Sequence, residues 1–375
     1  MVDKPKKRSL IRAGNEVSQI KEEIKEAKPK ESKLDKKDLI STGSTLLNLA
    51  LSDTPNGGYK LGTMCNLIGG SSSGKSLMAL TMMAEAVRNP RLDNYALVYD
   101  ETEAAMFFDL ESMFGKGMDR LDFGTRSYTI QDWSENLLTL MDVGAPKKKK
   151  KKDKDEEPKK TTSIIHITDS FDGLTTEGDL EDLRPKKGGY RTEKPIVTSV
   201  TFPKVCQKME STKSFLLIIS QTRSSLQVFG NPETRSGAKA LDFYESHEIW
   251  MKKAEPIRKK VRGKDRDIGA NVTLKVKKNK LTGKLRTVSF PVYYDFGIDD
   301  TASLIDWLVE EGFWKFDDKK KTVYAEEHGF IDSDGEGLIK HIESSNLESR
   351  LKEIVASNWL ILEEEIKTAR KPRYS

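Results

Sequence analysis

A glycine-rich motif constrains the fold of this 375-residue chain more than any other feature. It reads Gly69-Gly-Ser-Ser-Ser-Gly-Lys-Ser76 and satisfies the pattern G-x-x-x-x-G-K-S. An apolar run of strand length, Met64–Gly69, leads into it, and helical periodicity over residues 76–88 follows it. Strand, loop and helix in this order are typical of a P-loop, so the sequence predicts a βα unit that binds phosphate.

Each part of the motif has a physical task at such a site. Glycines at both ends let the backbone curl so that successive N–H groups point into one concavity, where the start of the helix adds its positive dipole. We expect Lys75 to reach the β- and γ-phosphates of a nucleotide and the Ser76 hydroxyl to bind Mg²⁺. The predicted nucleotide-binding residues of the loop are Gly69, Gly70, Ser71, Ser72, Ser73, Gly74, Lys75 and Ser76.

Strand-like and helix-like segments alternate along the chain around this motif. The alternation predicts βαβ units around a mostly parallel sheet, and hence an α/β fold. After residue 243, three strand-like stretches follow one another and indicate an antiparallel extension of that sheet. The predicted strands are Met64–Gly69, 95–100, Ile164–Asp169, 214–220, 247–253, 272–278 and 286–295, and the predicted helices of this region are 76–88, 107–114, 132–143 and 197–210.

Composition divides the chain into three predicted parts. Residues 1–38 are dominated by Lys and Glu and are expected to form a flexible arm. Residues 39–298 carry the α/β core, in which the lysine-rich stretch 146–160 is expected to be a disordered surface insertion, because its composition cannot bury anything. Residues 299–375 combine helices with one hairpin and are predicted to form a small α+β C-terminal domain.

The overall charge is less informative than its placement. The chain has 64 basic and 59 acidic residues, and this balance does not by itself identify a partner. Its two cysteines, Cys65 and Cys206, and its four histidines show no spacing for a disulfide framework or a zinc site. The longest purely aliphatic or aromatic run, residues 215–219, falls far short of the ~20 apolar residues of a membrane helix. We therefore expect a cytoplasmic protein without a membrane partner.

Acidic residues at strand ends supply the other parts that nucleotide hydrolysis needs. Asp169 ends the apolar run Ile164–Asp169 and is predicted to hold Mg²⁺ together with Ser76. Glu101 and Glu103 follow the strand at 95–100, and either could orient the attacking water, since spacing alone does not choose between them. His166 lies inside a strand and is expected to be a core residue.

Several segments together resemble the RecA family of homologous-recombination ATPases, and we expect a member that a bacteriophage encodes. The most specific match is Val228-Phe-Gly-Asn-Pro-Glu-Thr234 with the helix-like residues after it, which is similar to the family's second DNA-binding loop. Residues 40–51 resemble the entry to the family's ATPase core, and Lys278-Asn-Lys280 matches the strand that reaches the neighbouring subunit's nucleotide. The resemblance runs from about residue 40 into the C-terminal helices, apart from the lysine-rich insertion, and implies a RecA-like P-loop ATPase core.

The resemblance implies roles for residues around the nucleotide, which is expected to be ATP with Mg²⁺. Glu103 resembles the family's water-orienting glutamate, with Glu101 as the alternative because this chain has one more residue than usual after Asp100. Gln221 is similar to the glutamine that senses the γ-phosphate, and Lys278 and Lys280 would serve the neighbour's nucleotide in trans. Phe107 and Leu110 stand where family members commonly seat adenine with an aspartate and a tyrosine, which leaves the base specificity open.

The resemblance also implies two DNA-binding loops. Residues 222–235 offer cations for phosphates and apolar side chains that could wedge between bases, and residues 175–195 combine basic residues with one aromatic ring. The basic connection 252–267 is predicted to lie near the subunit interface or the incoming duplex. The expected DNA-binding residues are Arg184, Lys186, Lys187, Tyr190, Arg191, Arg223, Val228, Phe229, Gly230, Asn231, Thr234 and Arg235.

These features predict a DNA-dependent ATPase that forms head-to-tail helical filaments on single-stranded DNA. It would catalyse homologous pairing and strand exchange with double-stranded DNA in the cytoplasm, that of the host if a phage encodes it. Single-strand-binding and loader proteins are further expected partners. A RecA-fold DNA motor such as a replicative helicase, and a RecA-like mediator without productive hydrolysis, are the alternatives.

Two features of the C-terminal region have structural explanations. Trp307, Phe313, Trp314 and Trp359 recur among aliphatic residues and are predicted to form the core of that region. The acidic stretch 332–337 nearly fits a calcium-binding loop, but its fifth position is Glu and no second loop is visible. We therefore predict a turn that leads into a helix.

Overall fold

The computed structural model describes residues 35–104, 109–124, 126–142, 162–181, 193–224, 233–235, 240–370 and 373. The chain divides into two compact units, residues 1–38 and 39–375. Of the first unit, the short 3₁₀ helix Lys36–Asp38 is described. The predicted N-terminal arm and the lysine-rich insertion lie outside the described residues, and the domain boundary at residue 299 stays a prediction.

Strands provide the frame of the second unit. They are β1 (Leu39–Ile40), β2 (Tyr59–Lys60), β3 (Met64–Gly69), β4 (Ala96–Glu101), β5 (Leu121–Asp122), β6 (Ile164–Asp169), β7 (Phe215–Ser224), β8 (Glu233–Arg235), β9 (His247–Val261), β10 (Lys264–Asn279), β11 (Thr287–Tyr293), β12 (Gly297–Ile298), β13 (Lys315–Asp317) and β14 (Thr322–Tyr324). β1 pairs with β2 and β13 pairs with β14 in two small antiparallel sheets.

Within the described residues the large sheet has ten strands, nine of them in the order β12-β11-β10-β9-β3-β7-β6-β4-β5. The strands from β9 to β5 in this order run parallel to one another. β10, β11 and β12 continue the sheet in antiparallel pairs, and β8 folds back on the end of β7. The predicted α/β fold, a mostly parallel sheet with an antiparallel extension, is confirmed.

Helices cover both faces of this sheet. They are α1 (Thr45–Ser52), α2 (Lys75–Arg88), α3 (Leu110–Phe114), α4 (Ile130–Asp142), α5 (Glu177–Glu181), α6 (Glu193–Thr212), α7 (Leu241–Tyr244), α8 (Asp300–Glu310), α9 (Gly335–Ser344) and α10 (Glu348–Glu365). Among the residues described, every helix lacks the length or the apolarity that a membrane span requires.

The central strands are buried on both faces, as their unbroken apolar runs require. Successive side chains of β7 alternate between two clusters: Leu217 joins one, while Leu216 joins the other. The first cluster includes side chains of α1, α2 and the C-terminal helices, and the second includes Trp133 of α4 and Phe202 of α6. Packed side chains on both faces therefore hold the central strands in place.

The C-terminal region shares the first cluster. Trp307, Trp314 and Trp359 are buried there and Phe313 packs against it, which confirms the prediction of core aromatics. Arg286 binds the carboxylates of Asp53 at 2.5 Å and Glu363 at 2.6 Å, so it joins α10 to the end of α1. These contacts attach the last helices to the antiparallel side of the large sheet.

The acidic stretch 332–337 is a turn into a helix, as predicted. The Asp332 carboxylate accepts hydrogen bonds from the main-chain nitrogens of Ala325 and Glu326. Asp334 caps α9 by accepting from the nitrogen of Gly337 at 2.8 Å. Both carboxylates thus stabilise local backbone.

The prediction of a connection over residues 252–267 is wrong. β9 and β10 remain paired from Asn279 and His247 out to Lys264 and Val261. Arg262 and Gly263 form the turn with φ values of 53° and 78°, the left-handed geometry that suits a two-residue hairpin. The ribbon carries charged side chains on both faces, so it lacks the period-two apolar pattern that identifies a half-buried strand.

Burial of His166 makes stability depend on pH. Burial lowers the pKa of His166 to about 3, below the ~6.5 expected in the unfolded chain. The unfolded chain therefore binds a proton that the folded one does not, and the free energy of unfolding falls as pH drops below 6.5.

We expect His166→Gln to remove this part of the acid sensitivity. Denaturant melts at pH 7.5 and pH 5.5 should show a loss smaller than in the parent protein by about 1.4 kcal/mol. The matched control is His341→Gln on α9, which is only partly buried and should keep the parental difference. Equal losses in the parent and in His166→Gln would contradict the account.

Candidate active site

The predicted phosphate loop joins the end of β3 to the start of α2. Gly74 precedes the helix with φ of 98°, a conformation that favours glycine. A Cβ atom on Gly69 would lie 2.6 Å from the carbonyl oxygen of Met251 and 2.7 Å from Ser73 Oγ. The loop therefore needs glycine at both ends, once for its turn and once for its close approach to β9.

Lys75 points into the concavity of this loop. Its side chain is buried, and Nζ donates to the carbonyl oxygens of Gly69 at 2.9 Å and Gly70 at 2.7 Å. Burial lowers the pKa of Lys75, while the negative charges of Asp169 and Glu103 raise it. A buried ammonium in a glycine-rich loop that leads into a helix suits a phosphate ligand.

Asp169 lies beside the first turn of α2. Its Oδ2 atom accepts from Ser76 Oγ at 2.6 Å and from the Tyr99 hydroxyl at 2.7 Å. Burial raises the pKa of Asp169, and the hydrogen bonds from Ser76 and Tyr99 lower it. A hydroxyl and a carboxylate at hydrogen-bond distance are hard oxygen donors, so these residues fit Mg²⁺.

Sequence reasoning missed Tyr99, which lies inside a buried strand. Its ring is fully buried, and its hydroxyl reaches Asp169 because β4 and β6 are parallel neighbours. The pairing of the two strands is not visible in a single sequence. A tyrosine near the end of an apolar strand was the available signal, because a buried phenol requires a hydrogen-bond partner.

The structure separates the two candidate glutamates. Glu103 Oε1 accepts from Ser170 Oγ at 2.6 Å and from Gln221 Nε2 at 2.8 Å. The Glu101 carboxylate instead binds Arg126 at 2.7 Å, and its side chain is 15% exposed. Glu103 is therefore held at the phosphate loop's side of the sheet, whereas Glu101 is engaged in an ion pair.

Gln221 stands next to the phosphate loop in the sheet. It is the register partner of Gly69 in the parallel pair of β3 and β7. Its main-chain nitrogen donates to Asp172 Oδ2 at 2.6 Å. Lys75, Ser76, Asp169, Glu103 and Gln221 thus converge at the carboxyl edge of the parallel strands, where ligands bind in open α/β sheets.

A cavity of about 360 Å³ adjoins the phosphate loop. Ser72 to Leu77 line it together with Met113 of α3 and the exposed ring of Tyr294. An exposed aromatic ring beside a phosphate loop suits stacking on a nucleotide base. Sequence reasoning missed Tyr294, which lies within the predicted strand 286–295 and directly follows the observed β11.

Leu110, one of the two residues predicted to seat the base, does not line this cavity. Leu110 is partly buried and packs against the first hydrophobic cluster. Phe107 lies outside the described residues. The roles of both in base binding stay predictions.

Lys278 and Lys280 lie at the opposite side of the sheet, next to the amino ends of the parallel strands. Asn279, between them, pairs with His247, which in turn pairs with Cys65 near the start of β3. Four residues of extended strand, ~13 Å, separate Cys65 from Gly69. The structure therefore does not bring these lysines to the nucleotide site of their own subunit.

The structure describes only the first and last residues of the two predicted DNA loops. β7 and β8 pair with Thr222 opposite Arg235 and Arg223 opposite Thr234, so the ends of the second loop form a ribbon instead of a loop. In the first loop, α5 covers Glu177–Glu181 and α6 begins at Glu193, where acidic residues in the first turns favour helix. Outside the described residues lie Arg184, Lys186, Lys187, Tyr190, Arg191, Val228, Phe229, Gly230 and Asn231.

Known proteins match this chain in sequence. The model of the RecA N-terminal domain matches residues 160–299. Protein RecA of Desulforapulum autotrophicum is 28% identical over 276 residues, 73% of this chain and 70% of the relative. Protein RecA of Colwellia psychrerythraea is 26% identical over 276 residues, which cover 73% and 71% of the two chains. Protein RecA of Bacteroides thetaiotaomicron is 28% identical over 285 residues, which cover 74% and 75%.

The matches to the three relatives extend over most of the chain, and the family model covers strands β6 to β12 of the large sheet. Proteins of this family use ATP and Mg²⁺, bind DNA and assemble with copies of themselves. The chain thus resembles RecA recombinases over about three quarters of its length.

Proposed function

We propose that the chain is an ATP-dependent recombinase that forms helical filaments on single-stranded DNA and catalyses homologous pairing and strand exchange. The observation that carries the proposal is the position of Gln221. Its side chain binds Glu103 at the nucleotide edge, and its strand continues into the ribbon that leads to the second predicted DNA loop. A change at the nucleotide can therefore reach the DNA contact through one strand.

The proposed ATP hydrolysis assigns one task to each converging residue. Lys75 and the loop nitrogens bind the phosphates, and Ser76 and Asp169 hold the metal. Bound Mg²⁺ supplies charge neutralisation on the phosphates. Glu103 orients the attacking water, because its carboxylate is held at the phosphate side by Ser170 and Gln221.

Lys278 and Lys280 serve the nucleotide of the neighbouring subunit in this proposal. Their own phosphate loop lies at the other edge of the sheet, so they act on a nucleotide only if two copies join amino edge to carboxyl edge. Such a contact uses two different surfaces and repeats along an open helix. Hydrolysis would then depend on assembly.

DNA contact in the proposal is mainly to the backbone. The homology test is base pairing between strands, so the protein needs phosphate contacts more than base recognition. The exposed ribbon of β9 and β10 has eight basic and three acidic residues between Lys252 and Asp267. We place the incoming duplex near this ribbon, whose charge attracts phosphates.

The proposal also includes a cellular location and partner proteins. The cytoplasm is the expected place of action, since ATP and bacterial DNA occur there, and single-strand-binding and loader proteins are expected partners. The relatives are named RecA, which favours a recombinase over a helicase-like motor or a mediator without hydrolysis.

D-loop formation tests the proposed activity. With ATP, Mg²⁺ and a labelled oligonucleotide, the protein should form joint molecules with a homologous supercoiled plasmid and none with an unrelated plasmid. A clean failure, in a preparation that binds single-stranded DNA, would contradict strand exchange.

Two matched variants test the assignment of the water-orienting residue. Glu103→Gln should lower DNA-stimulated phosphate release by about 100-fold or more, because it removes the group that accepts the water's proton. Binding of a fluorescent ATP analogue should persist. Glu101→Gln loses its ion pair with Arg126 and should keep turnover within about threefold of the parent. The reverse pattern would assign the role to Glu101.

A further inference from the structure

A buried carboxylate lies beside one of the two lysines at the amino edge. Glu245 directly follows α7 and its side chain is 0% exposed. Its Oε1 atom lies 4.0 Å from Lys278 Nζ, and the Lys278 side chain is 26% exposed. Burial of a charged carboxylate is unfavourable unless a cation lies nearby. The charge of Glu245 therefore favours the position in which Lys278 stays beside it.

Further groups hold the lysines against α7. Lys278 Nζ donates to the carbonyl oxygen of Asp242, and Lys280 Nζ donates to that of Phe243 at 2.9 Å. The carboxylates of Asp242, Glu245 and Glu248 lie within 4.8 Å of one another. Burial lowers the pKa of Lys278, and the negative charges of Glu245, Asp242 and Glu248 oppose this.

The element that holds the lysines is itself fixed. Leu241 of α7 is fully buried in the second hydrophobic cluster. The ring of Tyr244 stacks on that of Phe202 with centroids 6.0 Å apart, which packs α7 on α6. Lys278 is therefore held at a defined place in its own subunit.

An ammonium group has three donors, and Lys278 directs one of them to α7 while its charge lies beside Glu245. Reaching a phosphate of a neighbouring subunit would require it to leave a carboxylate that stays buried. The two positions therefore compete, and the balance between them is set by the charge of Glu245.

We propose that Glu245 is a positioning residue that retains Lys278 within its own subunit and so keeps ATP hydrolysis low in the absence of DNA. The inference rests on the proposed trans action of Lys278 and Lys280. It adds a restraint that is released when the filament forms on DNA.

Glu245→Gln tests the restraint, since it removes the charge and keeps the size of the side chain. The rate of phosphate release without DNA should rise by about tenfold, the effect expected when a charge-assisted contact is lost. The DNA-stimulated rate should stay within about twofold of the parent, because the restraint is already released there. The matched control is Glu135→Gln on α4, which removes the same charge from an exposed position outside this cluster and should leave both rates unchanged.

A double variant shows whether the gain passes through the lysine. Glu245→Gln combined with Lys278→Gln should lose the DNA-free gain, whereas an effect that is merely structural would persist. Glu245→Ala gives a second form of the experiment should the glutamine variant fold poorly. Circular dichroism confirms the folded state of each variant.

The outcomes separate this inference from the proposed function. A parental DNA-free rate in folded Glu245→Gln and Glu245→Ala, together with an inactive Lys280→Ala, would overturn the restraint alone. Full DNA-stimulated turnover in both Lys278→Gln and Lys280→Ala would overturn the trans action on which the inference rests. Equal loss of both rates in the Glu245 variants would assign Glu245 a structural role and also overturn the restraint.

Discussion

The parallel pairing of β3 with β7 and β9 is the constraint on which the rest of the molecule depends. Because parallel strands end at the same edge, Gly69 and Gln221 become neighbours, and Asp169 follows on the next strand. The same polarity puts Asn279 and its flanking lysines at the opposite edge. One sheet thus carries the proposed ATP site at the carboxyl ends of its parallel strands, and the cations that would complete such a site in a neighbour at their amino ends.

Two hydrogen bonds and one strand connect the proposed nucleotide site to the ends of the second predicted DNA loop. Glu103 Oε1 binds Ser170 and Gln221, and the strand of Gln221 continues into the β7–β8 ribbon. At the other edge, Lys278 and Lys280 contact α7, which is packed on α6 through Tyr244. Five residues separate β8 from α7 in the sequence, and this short link would couple nucleotide state, DNA contact and the neighbour's lysines in the proposed filament.

Much of this frame was predictable because its signals are local. The phosphate loop, the strand that ends at Asp169 and the α/β alternation are apolar runs bounded by glycines and acids. The parts that the sequence did not predict depend on contacts between residues far apart in the chain. The Tyr99 hydroxyl reaches Asp169 on the adjacent strand, and the choice between Glu101 and Glu103 depends on the ion pair of Glu101 with Arg126. The ribbon over 252–267 escaped prediction because a projecting hairpin buries neither face.

Mixing two inactive variants tests most directly whether the nucleotide site is completed by a neighbour. Lys75→Ala lacks a working phosphate loop but keeps the lysines, and Lys280→Ala has the opposite defect. With single-stranded DNA and ATP, an equal mixture should recover about one quarter of parental phosphate release, because one in four head-to-tail contacts pairs an intact loop with an intact lysine. No recovery in mixtures that co-assemble on DNA would contradict the account.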